Sequence, residues 1–364
     1  MASTSSDKNN LFSPIQLGEL TLANRIIMAP LTRNRADEGN VPQDMNVDYY
    51  RQRASAGLII SEGSQISATG VGYPRTPGIH SAAQINGWQQ VTDAVHDEGG
   101  RIFIQLWHTG RISHSSLQPG GVLPVAPSAL KAAGQAMTYD GLQDFETPHA
   151  LALEELPALV ADYATAAQNA KAAGFDGVEI HAANGYLLDQ FLRDGSNRRE
   201  DGYGGNIAKR MRLLLEVVEA AIAVWGSHCV GVRLSPENSF NDMEDSQPQQ
   251  TFNAVAQKLS DYPLAYLHVL EGDMVTGERR VDYQALRSCF TGLYMANNGY
   301  DLDGGNSAIG QEYADMVAFG KLFIANPDLP ERFAKNWPLN TPDQTTFYGG
   351  DEKGYTDYPK YSAK

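Results

Sequence analysis

Cysteine is scarce. The 364 residues hold two, Cys229 and Cys289, too few and too far apart for a disulfide framework or a thiolate metal site. They are expected to be reduced thiols of a cytoplasmic protein. Long apolar runs are missing too: no window approaches the roughly 18 uninterrupted apolar residues of a membrane span. Residues 1–10, MASTSSDKNN, are polar, which predicts a disordered tail and not a secretory signal. Positive charge is in short supply, with 28 Lys and Arg against 43 Asp and Glu and a net charge of −15. That balance argues against nucleic acid or a membrane surface as a partner, and any anionic ligand needs a local positive site.

What is present is alternation. Apolar β-rich runs lie at 25–30, 57–63, 101–107, 177–183, 229–235, 266–272, 292–298 and 316–324. Between them stand stretches with apolar residues every three or four positions, at 82–100, 156–174, 206–226 and 247–262, several ending in Gly. Strands apolar on both faces, each followed by a helix, predict a parallel sheet covered by helices. Eight such units predict closure into a (β/α)8 barrel, one domain spanning 1–364. No G-x-G-x-x-G follows any strand, which disfavours an open dinucleotide-binding sheet. Residues 108–155, rich in Gly, Pro and Ser, separate strand 3 from its helix and predict a cap over the barrel mouth.

Active sites of such barrels form at the C-terminal strand ends. Strand 1 has no His-x-His for a metal, strand 6 has no Schiff-base Lys, and strands 4 and 7 offer no carboxylate pair. The ends hold hydrogen-bonding groups instead: Thr32, Glu62, Gln105, His108, His181, Asn184, Tyr186, Arg233, Glu271, Asn297 and Asn298. Such groups orient a ligand and do little chemistry alone, so a cofactor is expected to carry the reaction. Asn298-Gly299 and Gly320-Lys321, after strands 7 and 8, suit a phosphate tail.

The strings NRIIMAPLTRNRA, QLWHTGR, HAANGYLLDQFL, SNRREDGYGG, RLSP, VAFGKLFIANPDLP and GYTDYP run in order from about residue 11 to 361. Together they resemble the Old Yellow Enzyme family. The resemblance implies a barrel holding FMN non-covalently, reduced by NADPH or NADH and reoxidised by enones, maleimides or nitroalkenes. It implies that Pro30, Leu31, Thr32, Gly63 and Gln105 contact the flavin, that Arg233 lies near its N1 and O2, and that Asn298, Gly299, Gly320 and Lys321 bind its phosphate. His181 and Asn184 would hold the substrate oxygen, and Tyr186 would give a proton to the α-carbon as hydride reaches the β-carbon. Trp107, Phe240 and Tyr348 would wall the substrate. No metal is implied. Two departures stand out: Gly63 where the family often has Ala, and Lys321 where it commonly has Arg. Alternatives are reduction of nitro esters or nitroaromatics at the same site, or a non-redox barrel binding a phosphorylated metabolite.

Overall fold

The computed structural model describes residues 9–362. Most of the expected tail, residues 1–8, lies outside the described residues. Eight parallel strands close into a barrel: β1 (Ile26–Met28), β2 (Leu58–Gln65), β3 (Ile102–Trp107), β4 (Gly177–Ala182), β5 (Val230–Leu234), β6 (Tyr266–Leu270), β7 (Tyr294–Asn297) and β8 (Met316–Phe319). Closure pairs β8 with β1, Val317 opposite Ile26. After them come α1 (Asp44–Arg51), α2 (Ala82–Asp97), α3 (Leu156–Ala172), α4 (Arg212–Trp225), α5 (Pro248–Leu259), α6 (Tyr283–Ser288), α7 (Leu302–Gly310) and α8 (Lys321–Ala325).

The helix boundaries follow local chemistry. At α2, Ser81 accepts from the Gln84 amide and Gln84 reaches back to the Ser81 amide, so each side chain satisfies a donor the helix start leaves free. Beyond α3 and α4, Gly174 and Gly226 have φ of 83° and 76°. Gly adopts that left-handed region at little cost, so the chain can turn back toward the barrel there.

Two expectations need correction. The apolar run 316–324 is not one strand: it breaks at Gly320, and Lys321 opens a helix whose Phe323 amide donates to the Gly320 carbonyl. A nine-residue apolar run carries no period that separates strand from buried helix. The helix expected over 206–226 is two pieces, Ile207–Arg210 and α4, joined at Met211.

Side chains pointing into the barrel come from alternate positions, so the interior fills in layers. At the N-terminal end a hairpin, Ile15–Leu17 paired with Leu20–Leu22, plugs the cylinder. Its Ile15, Leu17 and Leu22 pack with Ile27, Leu58, Phe103, Tyr266, Met295 and Met316. Gly177 and Gly231 leave room here: a Cβ on either would stand 2.4 Å from the ring of Phe103 or Tyr266. Above this layer the inward residues become polar.

Residues 108–155 hold three 3-10 turns, a short parallel pair (Val125–Ala126 with His149–Ala150) and a hairpin, Gln135–Thr138 with Gly141–Asp144. Ala132, Ala136 and Phe145 pack with Trp107 and Tyr186, which ties this segment to the ends of β3 and β4.

Candidate active site

A cavity of about 880 Å³ opens at the C-terminal end of the barrel. Pro30, Leu31, Thr32, Gly63, Gln105, Trp107, His181, Asn184, Tyr186, Arg233, Phe240, Asn298, Gly299, Gly320, Lys321 and Tyr348 all line it. Three polar strand-end residues do not. Glu62 turns outward to accept from Tyr50 and the Arg33 amide. Glu271 is a buried acceptor for Tyr294, Tyr300 and Arg279. His108 accepts from the Gly110 amide, and burial pushes its pKa down to about 4. Of the segment 108–155, Met137 alone reaches the cavity among the described residues.

The floor is a polar layer. Glu179 on β4 is fully buried beneath the cavity. Gln105 Nε2 lies 2.7 Å from its Oε1, and His268 Nδ1 lies 2.8 Å from its Oε2. Burial opposes ionisation of Glu179, but His268, Arg233 and Gln105 outweigh it and hold its pKa below the usual value. An ionised carboxylate only accepts, so both neighbours must donate. His268 therefore carries its proton on Nδ1; burial keeps that imidazole neutral against the pull of Glu179. Gln105 must turn its NH2 downward, which leaves Oε1 as the acceptor it offers the cavity. Arg233 sits beside His181 and His268 in register and donates to Asn297 Oδ1 at 3.0 Å. Glu179 is the counter-charge that makes a buried guanidinium tolerable.

The wall is built by the turn after β4. Asn184 and Gly185 have φ of 58° and 78°, a left-handed pair that reverses the chain between β4 and the helix Leu187–Leu192. The turn is pinned: Asn184 N donates to Ser235 Oγ at 2.7 Å and Gly185 N to Asp189 Oδ2 at 2.9 Å. Asn238 Nδ2 donates to Asn184 Oδ1 at 3.0 Å. Asn238 is itself oriented, because its Oδ1 accepts from the amides of Phe240 and Met274. Asn184 is thus left with its NH2 free to donate. His181 is held well below its usual pKa by burial first, then by Arg233 and His268. It is a neutral imidazole at neutral pH, with one N–H to donate. Tyr186 is held well above the usual phenol pKa by burial and by Tyr73, so its proton stays on.

Gly63 has a local reason. A Cβ there would stand 2.8 Å from the Trp107 ring, so Gly at 63 and a close-packed indole at 107 go together. The C-terminal segment reaches the rim because Arg33 and Arg35 hold it, donating to the carbonyls of Phe347, Gly354, Thr346 and Asp351. Tyr355 stacks on Tyr49 with ring centroids 4.1 Å apart. Phe347 and Tyr348 thereby edge the cavity.

The family model for NADH:flavin oxidoreductase / NADH oxidase matches residues 10–340. The chain belongs to this family. A probable flavin mononucleotide-dependent alkene reductase of Leishmania infantum is 43% identical over 364 residues, 99% of this chain and 100% of that one. Morphinone reductase in complex with tetrahydroNAD superposes with a TM-score of 0.93 at 49% identity, over 97% of this chain and 98% of that one. An Old Yellow Enzyme homologue from Zymomonas mobilis superposes with a TM-score of 0.94 at 46% identity, over 97% and 100%. The resemblance in the motifs is borne out, and the protein is a flavin-dependent oxidoreductase. The non-redox alternative falls with that membership.

The unpaired groups fit the cofactor of such a family. Arg233 Nε and His181 Nδ1 are buried with no partner among the described residues. The amides of Gly299, Gly320 and Lys321 donate to no protein acceptor among the described residues. An acceptor (Gln105 Oε1), a guanidinium and a cluster of free amides beside a lysine are the complement of a heterocycle with donor and acceptor edges and a phosphate tail.

Inspection of the strand ends missed Tyr73, Glu179, His268 and Asn238. Glu179 was within reach, since it lies two residues before His181 and a strand's period of two puts both on the inner face. Tyr73 and Asn238 earn their places only through contacts across the fold.

Proposed function

We propose that this cavity holds FMN and reduces activated alkenes with NADPH or NADH as donor, in the cytoplasm. When bound, FMN supplies two-electron hydride exchange, taking hydride from the nicotinamide and giving it to the β-carbon of the alkene. Pro30, Leu31, Thr32 and Gly63 would flank the ring system, Gln105 and Arg233 would meet its polar edge, and Asn298, Gly299, Gly320 and Lys321 would hold its phosphate. Arg233 favours negative charge on whatever lies above it. His181 and Asn184 donate to the carbonyl or nitro oxygen of the alkene, where negative charge grows during reduction; donors aimed at developing charge are worth roughly 3–4 kcal/mol each. Tyr186 donates its proton to the α-carbon. Trp107, Phe240 and Tyr348 exclude water around the substrate, with residues 108–155 as the cap.

One observation carries this reading. Within six residues of one turn, an oriented amide, a protonated phenol and a neutral imidazole converge over a buried, charge-compensated arginine. The same donors suit a nitro or nitrate oxygen, so a panel of enones, maleimides, nitroalkenes and nitrate esters, scored by anaerobic reoxidation, defines the range. NADPH preference, expected from the resemblance, is read by comparing the two donors' rates of flavin bleaching. The central test is Tyr186→Phe. Bleaching by the nicotinamide should stay within a few-fold of the wild type, while enone turnover falls about 10²–10⁴-fold; equal loss in both halves rejects Tyr186 as the proton donor.

A further inference from the structure

Once Tyr186 has given up its proton, a buried phenolate remains, and it must be stabilised and recharged. The protein offers one hydroxyl for this. Tyr73 Oη lies 3.1 Å from Tyr186 Oη. Tyr73 stands on the loop after β2, and its ring stacks on Trp107 at 5.8 Å with 12° between the planes. The loop is tied down on both sides of it: Ser113 Oγ donates to the Val71 carbonyl at 2.7 Å, and Asn34 Nδ2 donates to the Pro74 carbonyl at 2.7 Å. The hydroxyl is thus positioned by the fold and not by a mobile side chain. Tyr186 is buried, whereas Tyr73 is partly exposed, and both line the cavity.

Resting on the assignment of Tyr186 as proton donor, we propose that Tyr73 is its relay: it hydrogen-bonds the phenolate as it forms and passes it a proton drawn from water. The protons balance. The Oη–H bond of Tyr186 breaks as the Cα–H bond of the product forms. The Oη–H bond of Tyr73 then breaks as that of Tyr186 is remade, and water restores Tyr73. No electrons move in these steps. Asn241 neighbours both phenols and can steady a phenolate, but an amide has no proton to hand on. No other hydroxyl among the described residues bonds Tyr186.

Tyr73→Phe keeps the ring on Trp107 and deletes the relay atom. The holoenzyme is reduced with dithionite and mixed with saturating 2-cyclohexenone, alongside wild type and Tyr186→Phe, in H2O–D2O mixtures. The Tyr73 variant should reoxidise about tenfold or more slowly, the size expected for losing one hydrogen bond to a charged group. Its reduction by NADH should stay within twofold of wild type. A curved dependence of rate on deuterium fraction in wild type, two protons in flight, should become linear in the variant. Reoxidation within twofold of wild type, an unchanged curvature, or equal slowing of both half-reactions overturns the relay. If Tyr186→Phe also reoxidises normally, the donor assignment fails and the relay with it; if only Tyr186→Phe is slow, the relay alone fails.

Discussion

The two ends of the barrel are made from the same eight strands and solve opposite problems. At the N-terminal end, Leu17 and Leu22 of the hairpin complete an apolar layer with Leu58, Phe103, Tyr266 and Met316, in which the Tyr266 hydroxyl is the one buried polar side-chain atom without a partner among the described residues. At the C-terminal end, buried polar atoms of Arg233 and His181 that line the cavity have no partner among the described residues. Leaving such atoms unpaired costs roughly 1–3 kcal/mol each, so that end is complete only with a ligand. Stability is built into the bottom; the top carries a standing cost that becomes binding energy. The change occurs over one layer, where Glu179 compensates Arg233 and orients Gln105 and His268.

Arg233→Met should erase the contrast most strongly. It strands the Glu179 carboxylate in the interior, which costs about 3–5 kcal/mol, and removes a donor to the cofactor; urea unfolding and FMN titration should both register the loss. Leu17→Ala should sharpen the contrast. It should cost about 2–5 kcal/mol in unfolding while FMN affinity and turnover per folded molecule stay unchanged, because the polar layer separates the plug from the cavity.

A pH effect comes third. Burial raises the Glu62 pKa to about 7 despite the Arg33 amide and charge. The native state therefore binds a proton that the unfolded chain releases between about pH 4.5 and 7. Stability should fall as pH rises through that window, by at most about 3 kcal/mol, and stay flat above it. Glu62→Gln should remove this slope in unfolding experiments at pH 4.5 and 8. The smallest effect is expected at Lys321, which is exposed. A screened surface charge contributes about 0–1 kcal/mol, so Lys321→Ala should weaken FMN binding by less than about tenfold and flatten its salt dependence. Unchanged affinity at every salt concentration removes Lys321 from the site.

The barrel was legible because its strands are short apolar runs set between helical periods, and that alternation admits few architectures. The cavity residues were legible because strand ends in a parallel barrel converge. The exceptions are instructive. Glu62, His108 and Glu271 also sit at strand ends but face helices and loops, since whether an end residue points in or out depends on register and on the irregular pairing of β2 with β3 between Ile60 and Gly63. Lys321 was misplaced onto a strand because an apolar run does not announce the break at Gly320.

By itself, then, the sequence determined the eightfold unit, the family and the side chains at the cavity, all of which depend on local pattern and chain order. The tertiary structure alone decided the states of those side chains. Asn184 donates because Asn238, 54 residues away, occupies its carbonyl, and Gln105 accepts because Glu179, 74 residues away, claims its NH2. Hydrogen-bond direction, protonation and tautomer are set by the partner across the gap, and only folding brings the partner there.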